Sequence, residues 1–133
     1  MATEPTKYVS FADAIIIHLR LMKRFAETRY GVDHRELIES ALARPRQAAI
    51  YENADTIRQA ATLYFGLIKN HPWLGGNKRT ATVLVDEFLY LNGFEIRETV
   101  EETIKLVLAI EADECDLNEI EFWLRERTFL LPN

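Results

Sequence analysis

The sequence predicts an all-α protein, a compact bundle of about six helices, and three observations carry that prediction. Apolar residues recur at three- and four-residue intervals through most of the chain, as one buried face of a 3.6-residue helix requires. Capping residues stand at the head of these stretches, and Gly, Asn or Pro stand at their ends. Strand-like sequence is confined to residues 46–51 and Phe94 to Arg97.

Met1 to Lys7, with Pro5, reads as a loose terminus. Ser10 with Asp13 marks the first helix start, and Phe11, Ala14, Ile15, His18, Leu21, Met22 and Phe25 form its inward stripe until Gly31 stops it. His18, among apolar neighbours, reads as a packing histidine rather than a ligand. Asp33 and Glu36 form the next capping pair, leading Leu37, Ile38, Ala41 and Leu42 until Pro45 halts the helix. Arg46 to Asn53 is ambiguous: Ala48-Ala49-Ile50-Tyr51 reads as a short strand, a hairpin arm or a helical turn.

Asp55 or Thr56 caps a strong helix that turns Ile57, Ala60, Ala61, Tyr64, Phe65 and Ile68 inward. It ends near Asn70, because the residue before Pro72 is biased away from helical backbone. The next helix opens at Asn77 or Lys78, buries Ala81, Leu84, Val85, Phe88 and Leu89, and stops at Asn92-Gly93. Thr99 with Glu102 caps a helix whose inward set is Ile104, Leu106, Val107 and Ile110. Asp116 with Glu119 caps the last, with Ile120, Phe122, Trp123 and Leu124 as its core. Phe129-Leu130-Leu131 is an apolar tail, free either to pack back on the bundle or to meet a partner.

At 133 residues and 15.4 kDa the chain reads as a single domain, 1–133, long enough to bury a core. No repeat or low-complexity linker interrupts it. Ala14 to Ile17 is far too short an apolar run to span a bilayer, and no basic-then-apolar leader opens the chain, so a cytoplasmic protein without membrane contact is expected. A single cysteine, Cys115, fits a reducing compartment, and its neighbours Glu114 and Asp116 make it a poor thiolate. The net charge of −5 is unevenly spread. Residues 1–94 carry 12 Lys/Arg against 10 Asp/Glu, whereas 95–133 carry 4 against 11. No basic face for DNA follows from that balance; the acidic end reads as a solvated face or, less simply, as a surface for a basic partner.

The densest chemistry lies in His71-Pro72-Trp73-Leu74-Gly75-Gly76-Asn77-Lys78-Arg79. A diglycine can bring bare N–H groups toward oxygens, and the helix that follows presents unpaired N–H groups and a positive dipole end. Asn77 can cap that helix while its amide reaches a phosphate oxygen, Lys78 adds a point charge, and Arg79 adds a planar fork. His71 is the natural proton acceptor for an incoming hydroxyl. Pro72 and Trp73 would hold the loop rigid, with the indole buried. On residues alone, a phosphoryl-handling loop and a plain Pro/Gly helix–helix turn are about equally good readings. The pattern is no Walker loop, since no strand precedes it and its glycine spacing differs.

His-Pro-Trp-Leu-Gly-Gly-Asn-Lys-Arg-Thr-Ala, over residues 71–81, closely resembles the signature of the Fic/Doc (Fido) superfamily, His-x-Phe-x-acid-Gly/Ala-Asn-Gly/Lys-Arg. Lys78, where adenylyltransferases carry Gly, is similar to the death-on-curing (Doc) toxin branch. Further likeness lies in Glu39 to Pro45, Tyr51 to Asp55, Asn70 and Phe88 to Gly93, so the resemblance covers roughly residues 8–128. It implies a helical bundle presenting the loop to ATP, with His71 as general base and Gly76, Asn77, Lys78 and Arg79 as the phosphate cradle. It implies a short β-hairpin flap near residues 44–52 that aligns the target segment. It also implies a type II toxin that phosphorylates a Ser/Thr hydroxyl of a translation factor such as elongation factor Tu, neutralised by a cognate antitoxin. Because Lys78 intrudes where an AMP-transferring relative needs space, AMP transfer ranks below phosphoryl transfer.

Two positions depart from the family pattern. Trp73 replaces Phe as a larger anchor. Gly75 stands where the family places the acid that holds Mg²⁺, so no metal ligand is assigned, and Asp86 and Glu87 lie roughly 13 Å down the helix from Asn77 at ~1.5 Å per residue. The alternative function is therefore a catalytically impaired module that binds nucleotide or partner, in which Gly75→Asp is expected to create activity. No self-inhibitory glutamate motif is evident at either end, so inhibition is expected from outside, with the face around Ile15 and Leu19 as a candidate antitoxin groove.

Overall fold

Ten of the fifteen residues of one helix are buried, and the bundle is arranged around it. The computed structural model describes residues 4–132, with α1 over Phe11–Arg24, α2 over Arg35–Glu52, α3 over Thr56–Asn70 and α4 over Asn77–Leu91. After α4 come β1 (Phe94–Ile96), α5 (Val100–Glu111), α6 (Leu117–Arg127) and β2 (Thr128–Leu130). The buried helix is α3: apolar or small nearly all round, it packs against α2, α4, α5 and α6, as such a helix must. Tyr64, Leu63, Leu67 and Ile68 meet Leu84, Val85, Phe88 and Leu89 of α4 in one core that extends to Ile110, Ile120 and Leu124.

Local signals place most helix ends. Ser10 accepts from the Asp13 N–H, Asp55 from the Arg58 N–H, and Thr99/Glu102 and Asp116/Glu119 form two complete capping boxes. The loose terminus expected at Met1–Lys7 lies partly outside the described residues; the Lys7 N–H donates to Asn92 Oδ1 and the Lys7 carbonyl accepts from Asn92 Nδ2, both at 2.9 Å.

Several expectations are corrected. Helix α1 ends at Arg24 rather than running to Gly31, and Phe25, placed in its inward stripe, is exposed. Helix α2 has no side-chain cap from Asp33: the Asp33 and His34 N–H groups both donate to the Pro72 carbonyl at 3.1 Å, so the motif loop fixes this helix start. Pro45 does not halt α2, and residues 44–52 form no hairpin flap. They continue one 18-residue helix in which Ile38, Ala41, Pro45 and Ala48 are buried at helical spacing. Burial against α3 outweighs the hydrogen bond that proline forgoes. The approach there is close, since a Cβ on Gly66 would lie 3.4 Å from Ala41 Cβ and 2.6 Å from Arg44 Cδ.

The apolar tail pairs back through its backbone, β2 lying antiparallel to β1 in the register Phe94↔Leu130, Glu95↔Phe129 and Ile96↔Thr128, while the Phe129 and Leu130 side chains stay exposed. In the C-terminal half, Ile104 and Phe122 were expected inward and instead face solvent. Helices α5 and α6 both lean on α3 and leave Phe122 over a gap between them, while Ile104 stands in solvent outside it.

Candidate active site

The turn between α3 and α4 is built on residues that must be what they are. His71 ends α3 in the left-handed region, at φ 49° and ψ 53°, which tips its exposed imidazole away from the bundle, and the ring makes no hydrogen bond among the described residues. Gly76 caps α4 at φ 68°, which favours glycine, and a Cβ there would lie 2.5 Å from the Met22 thioether, which would have to shift within its buried site. With no side-chain cap on α4, the backbone N–H groups of Asn77, Lys78 and Arg79 point out of the helix start without a partner among the described residues. Three such donors at a positive dipole end are chemically suited to an anion.

Asn77 acts differently from the expectation that its amide reaches a phosphate. It is buried; the Trp73 N–H donates to its Oδ1 and its Nδ2 donates to the Trp73 carbonyl, both at 2.9 Å. The side chain closes the turn on itself, and only its backbone N–H remains for an anion. The Trp73 indole is 1% exposed and stacks on His18 with ring centroids 4.1 Å apart, while its Nε1 has no hydrogen-bond partner.

His18 is the packing histidine the sequence suggests, and it supports the loop. Its Nε2 accepts from the Gly31 N–H at 3.0 Å, so its proton sits on Nδ1, which donates to Thr80 Oγ1 at 2.9 Å. Burial pushes its pKa down to about 4, so the ring is neutral at physiological pH.

Both cations of the cradle already have acidic partners. Lys78 Nζ meets Glu111 Oε2 at 3.0 Å, and Arg79 Nη1 meets Glu27 Oε1 at 3.0 Å, with the Arg79 guanidinium 4.0 Å above the Phe25 ring. All four charged side chains are 38–42% exposed, a setting in which such pairs contribute about 0–1 kcal/mol and yield to a phosphate. Nothing at sequence level flagged Phe25, Glu27 or Glu111, because each reaches the cradle from more than thirty residues away.

The extended segment beside the loop is also not the expected one. Gly31 accepts from the Leu74 N–H at 2.9 Å, and Val32 bridges Trp73 antiparallel. One residue pair earlier, the Arg29 carbonyl lies where a side chain at 75 would begin: a Cβ on Gly75 would sit 2.2 Å from that oxygen. An acid at 75 therefore has no room, and Gly75→Asp is not the simple restoration the sequence suggested. No cluster of three or more His, Cys, Asp or Glu side chains suited to a metal occurs among the described residues. The residues here fit a phosphate and do not fit a protein-held Mg²⁺. Cys115 lies elsewhere, and burial, then Glu119 and Asp116, push its thiol up. No helix among the described residues is long and apolar enough to cross a membrane.

Comparison with known proteins places this geometry in a family. The BepC protein of Bartonella tribocorum, a VirB-translocated effector whose crystal structure holds AMPPNP, shares the fold with a TM-score of 0.61 at 14% identity, over 97% of this chain and 79% of that one. Toxin Doc of Mycolicibacterium smegmatis is 35% identical over 89 residues, 63% of this chain and 68% of that protein. Residues 8–89, from the approach to α1 through the motif loop to the end of the buried stripe of α4, match the Fic/DOC family, and the chain belongs to it.

Proposed function

We propose that this chain is a Doc-type toxin that transfers the γ-phosphoryl group of ATP to a Ser or Thr hydroxyl of a translation factor of the elongation factor Tu class. The observation that carries the reading is the uncapped start of α4, with three free N–H groups beside Lys78 and Arg79, directly after an exposed imidazole. The phosphate would settle on the N–H groups of Asn77, Lys78 and Arg79, taking Lys78 and Arg79 from Glu111 and Glu27. His71 accepts the hydroxyl proton as that oxygen bonds to the γ-phosphorus, the bond from phosphorus to the bridging oxygen breaks, and ADP leaves. Gly76 lets the phosphate approach the backbone. Two features support phosphoryl over adenylyl transfer: Lys78 stands at the helix start where the adenylyl-transferring pattern has Gly, and the chain is similar to a toxin named Doc.

The test is transfer of label from γ-labelled ATP to purified elongation factor Tu, with α-labelled ATP in parallel. We expect γ-label transfer that falls by about 10²–10⁴ in His71→Ala, the range a positioned general base contributes. Transfer of α-label would instead make the protein an adenylyltransferase. A second reading, a module that binds nucleotide without turnover, is favoured by the Arg29 carbonyl at Gly75, which leaves no place for a metal-holding acid. It predicts ATP binding with no transfer of either label. An antitoxin partner follows from the toxin reading; of the expected face Ile15 is half-buried against the core, while Leu19 and the neighbouring Ile16 are exposed on α1 and offer apolar surface.

A further inference from the structure

Helices α5 and α6 run antiparallel over α3 without closing on each other, and between them lies a groove of about 1190 Å³. The Ala112–Asp116 turn shuts one end and the Arg127–Glu102 ion pair, at 2.6 Å, clasps the other. The floor is apolar: Leu108, Ala109, Phe122 and Trp123 line it, and Leu108 and Phe122 are 50% and 65% exposed. Phe122 occupies a helix position whose pattern belongs in a core, yet nothing in the chain covers it. The rim is acidic, with Glu102, Glu111, Glu114, Asp116, Glu119 and Glu126 against Lys105 and Arg127, and Arg127 is already neutralised by Glu102.

We infer that this groove docks an amphipathic helix of another protein, one with an apolar ridge flanked by Lys or Arg. A gap between two helices accepts a third helix on its apolar face, and the rim carboxylates less closely paired than Glu102 and Glu111, those of Glu114, Asp116, Glu119 and Glu126, favour cations at its flanks. The same charge repels nucleic acid and anionic lipid, which leaves a basic protein segment as the complementary occupant. The groove also reaches the cradle, because Glu111 on its rim is the carboxylate that holds Lys78. A cation of the docked helix that takes Glu111 releases Lys78, so occupancy of the groove is sensed at the start of α4. The docking surface itself does not rest on the transfer reaction.

The test uses the full chain and two labelled synthetic helical peptides with the same leucine ridge, one flanked by lysines and the other by glutamates, read by fluorescence anisotropy. The lysine-flanked peptide should bind saturably and weaken with salt, as exposed charge pairs do, while its twin should not bind. Leu108→Ser with Phe122→Ser, both at exposed positions, should weaken binding about tenfold or more, a loss typical of truncated anchors. Glu114→Lys with Glu126→Lys should do the same without touching the floor, and circular dichroism reports whether each variant keeps its helices. Absence of saturable binding, equal binding of the two peptides, or indifference to both double variants overturns the inference. So does a dimer by sedimentation that Phe122→Ser abolishes, which would make a second copy of this chain the occupant.

Discussion

His18 ties the motif loop to the bundle, and acid should loosen it. The folded protein holds the ring neutral with a pKa near 4, whereas the unfolded chain titrates at its ordinary 6.5. Between those values the unfolded state binds a proton that the folded state refuses, so stability rises with pH there. The contribution is complete above pH 6.5 and is lost as pH falls toward about 4. A separation of about 2.5 units at about 1.4 kcal/mol each amounts to roughly 3 kcal/mol, a large part of the 5–15 kcal/mol that holds a typical domain. The geometry agrees: a second ring proton would sit on Nε2, facing the Gly31 N–H that now donates to it.

Carboxylates lose their own contributions in acid, so the His18 term must be isolated by difference. Urea midpoints of the wild type and of His18→Gln, measured from pH 7.5 to pH 4, provide it. Glutamine carries a donor and an acceptor on a side chain of similar reach but no proton to gain. We expect the wild type to lose roughly 3 kcal/mol more than the variant across the window, with Trp73 emission shifting as the loop loosens. Parallel pH slopes for the two proteins would refute the reasoning, because they would mean that His18 titrates alike in the folded and unfolded states.

Three further outcomes follow from the site. Glu27→Gln should raise affinity for ATP up to about fivefold by freeing Arg79, the ceiling set by an exposed pair of at most about 1 kcal/mol, and calorimetric titration that shows a weaker complex would contradict the pairing. Gly75→Asp should lower the melting temperature and leave transfer no higher than in the wild type, since its Cβ meets the Arg29 carbonyl at 2.2 Å; a gain of Mg²⁺-dependent transfer would show that the loop from Phe25 to Gly31 gives way. Asp86, whose carboxyl is pushed up to about 7 by burial and then by Glu98, holds a proton in the folded state that the unfolded chain releases, so stability falls as pH rises through that range. Asp86 lines a shallow crevice with Tyr90, Phe94 and Ile96 that crowds its carboxyl while the residue as a whole stays open to water, so screening keeps this term below about 1 kcal/mol; Asp86→Asn should flatten the decline in urea midpoint, and an unchanged decline would speak against the assignment.

What could be read from the sequence was what neighbours decide. Asp55, Thr99 with Glu102, and Asp116 with Glu119 act on N–H groups two or three residues away, so their helices begin where the pattern says. The stripe from Ala81 to Leu89 is buried as its spacing requires. His71, Gly76 and the start of α4 were legible because one turn contains them. Pro45 misled because its cost is local while the compensating burial against α3 comes from another helix. Asn77 misled because both its expected and its actual partners suit an amide, and only the fold brings the Trp73 backbone back to it. Ile104 and Phe122 misled because helical spacing says which residues share a face, not whether a neighbouring helix arrives to cover it.

The largest omission was the connection from α1 to α2, which shows no apolar period and looks like filler. Its residues meet the motif almost one for one. Phe25 lies under the Arg79 guanidinium and Glu27 takes its charge. The Arg29 carbonyl closes on Gly75. Gly31 gives its N–H to His18 and its carbonyl to Leu74, and the Asp33 and His34 N–H groups hold the Pro72 carbonyl. The two ends of this clamp differ in strength. Around Gly31 to His34 the contacts are backbone hydrogen bonds beside a buried ring stack, costly to break. Around Phe25 to Glu27 they are an exposed ion pair and an exposed aromatic face, each contributing about 1 kcal/mol or less. On the proposed reading, a phosphate arriving at α4 would displace Glu27 while Gly31 to His34 stayed in place, so the loop would keep its shape as its cations changed partners.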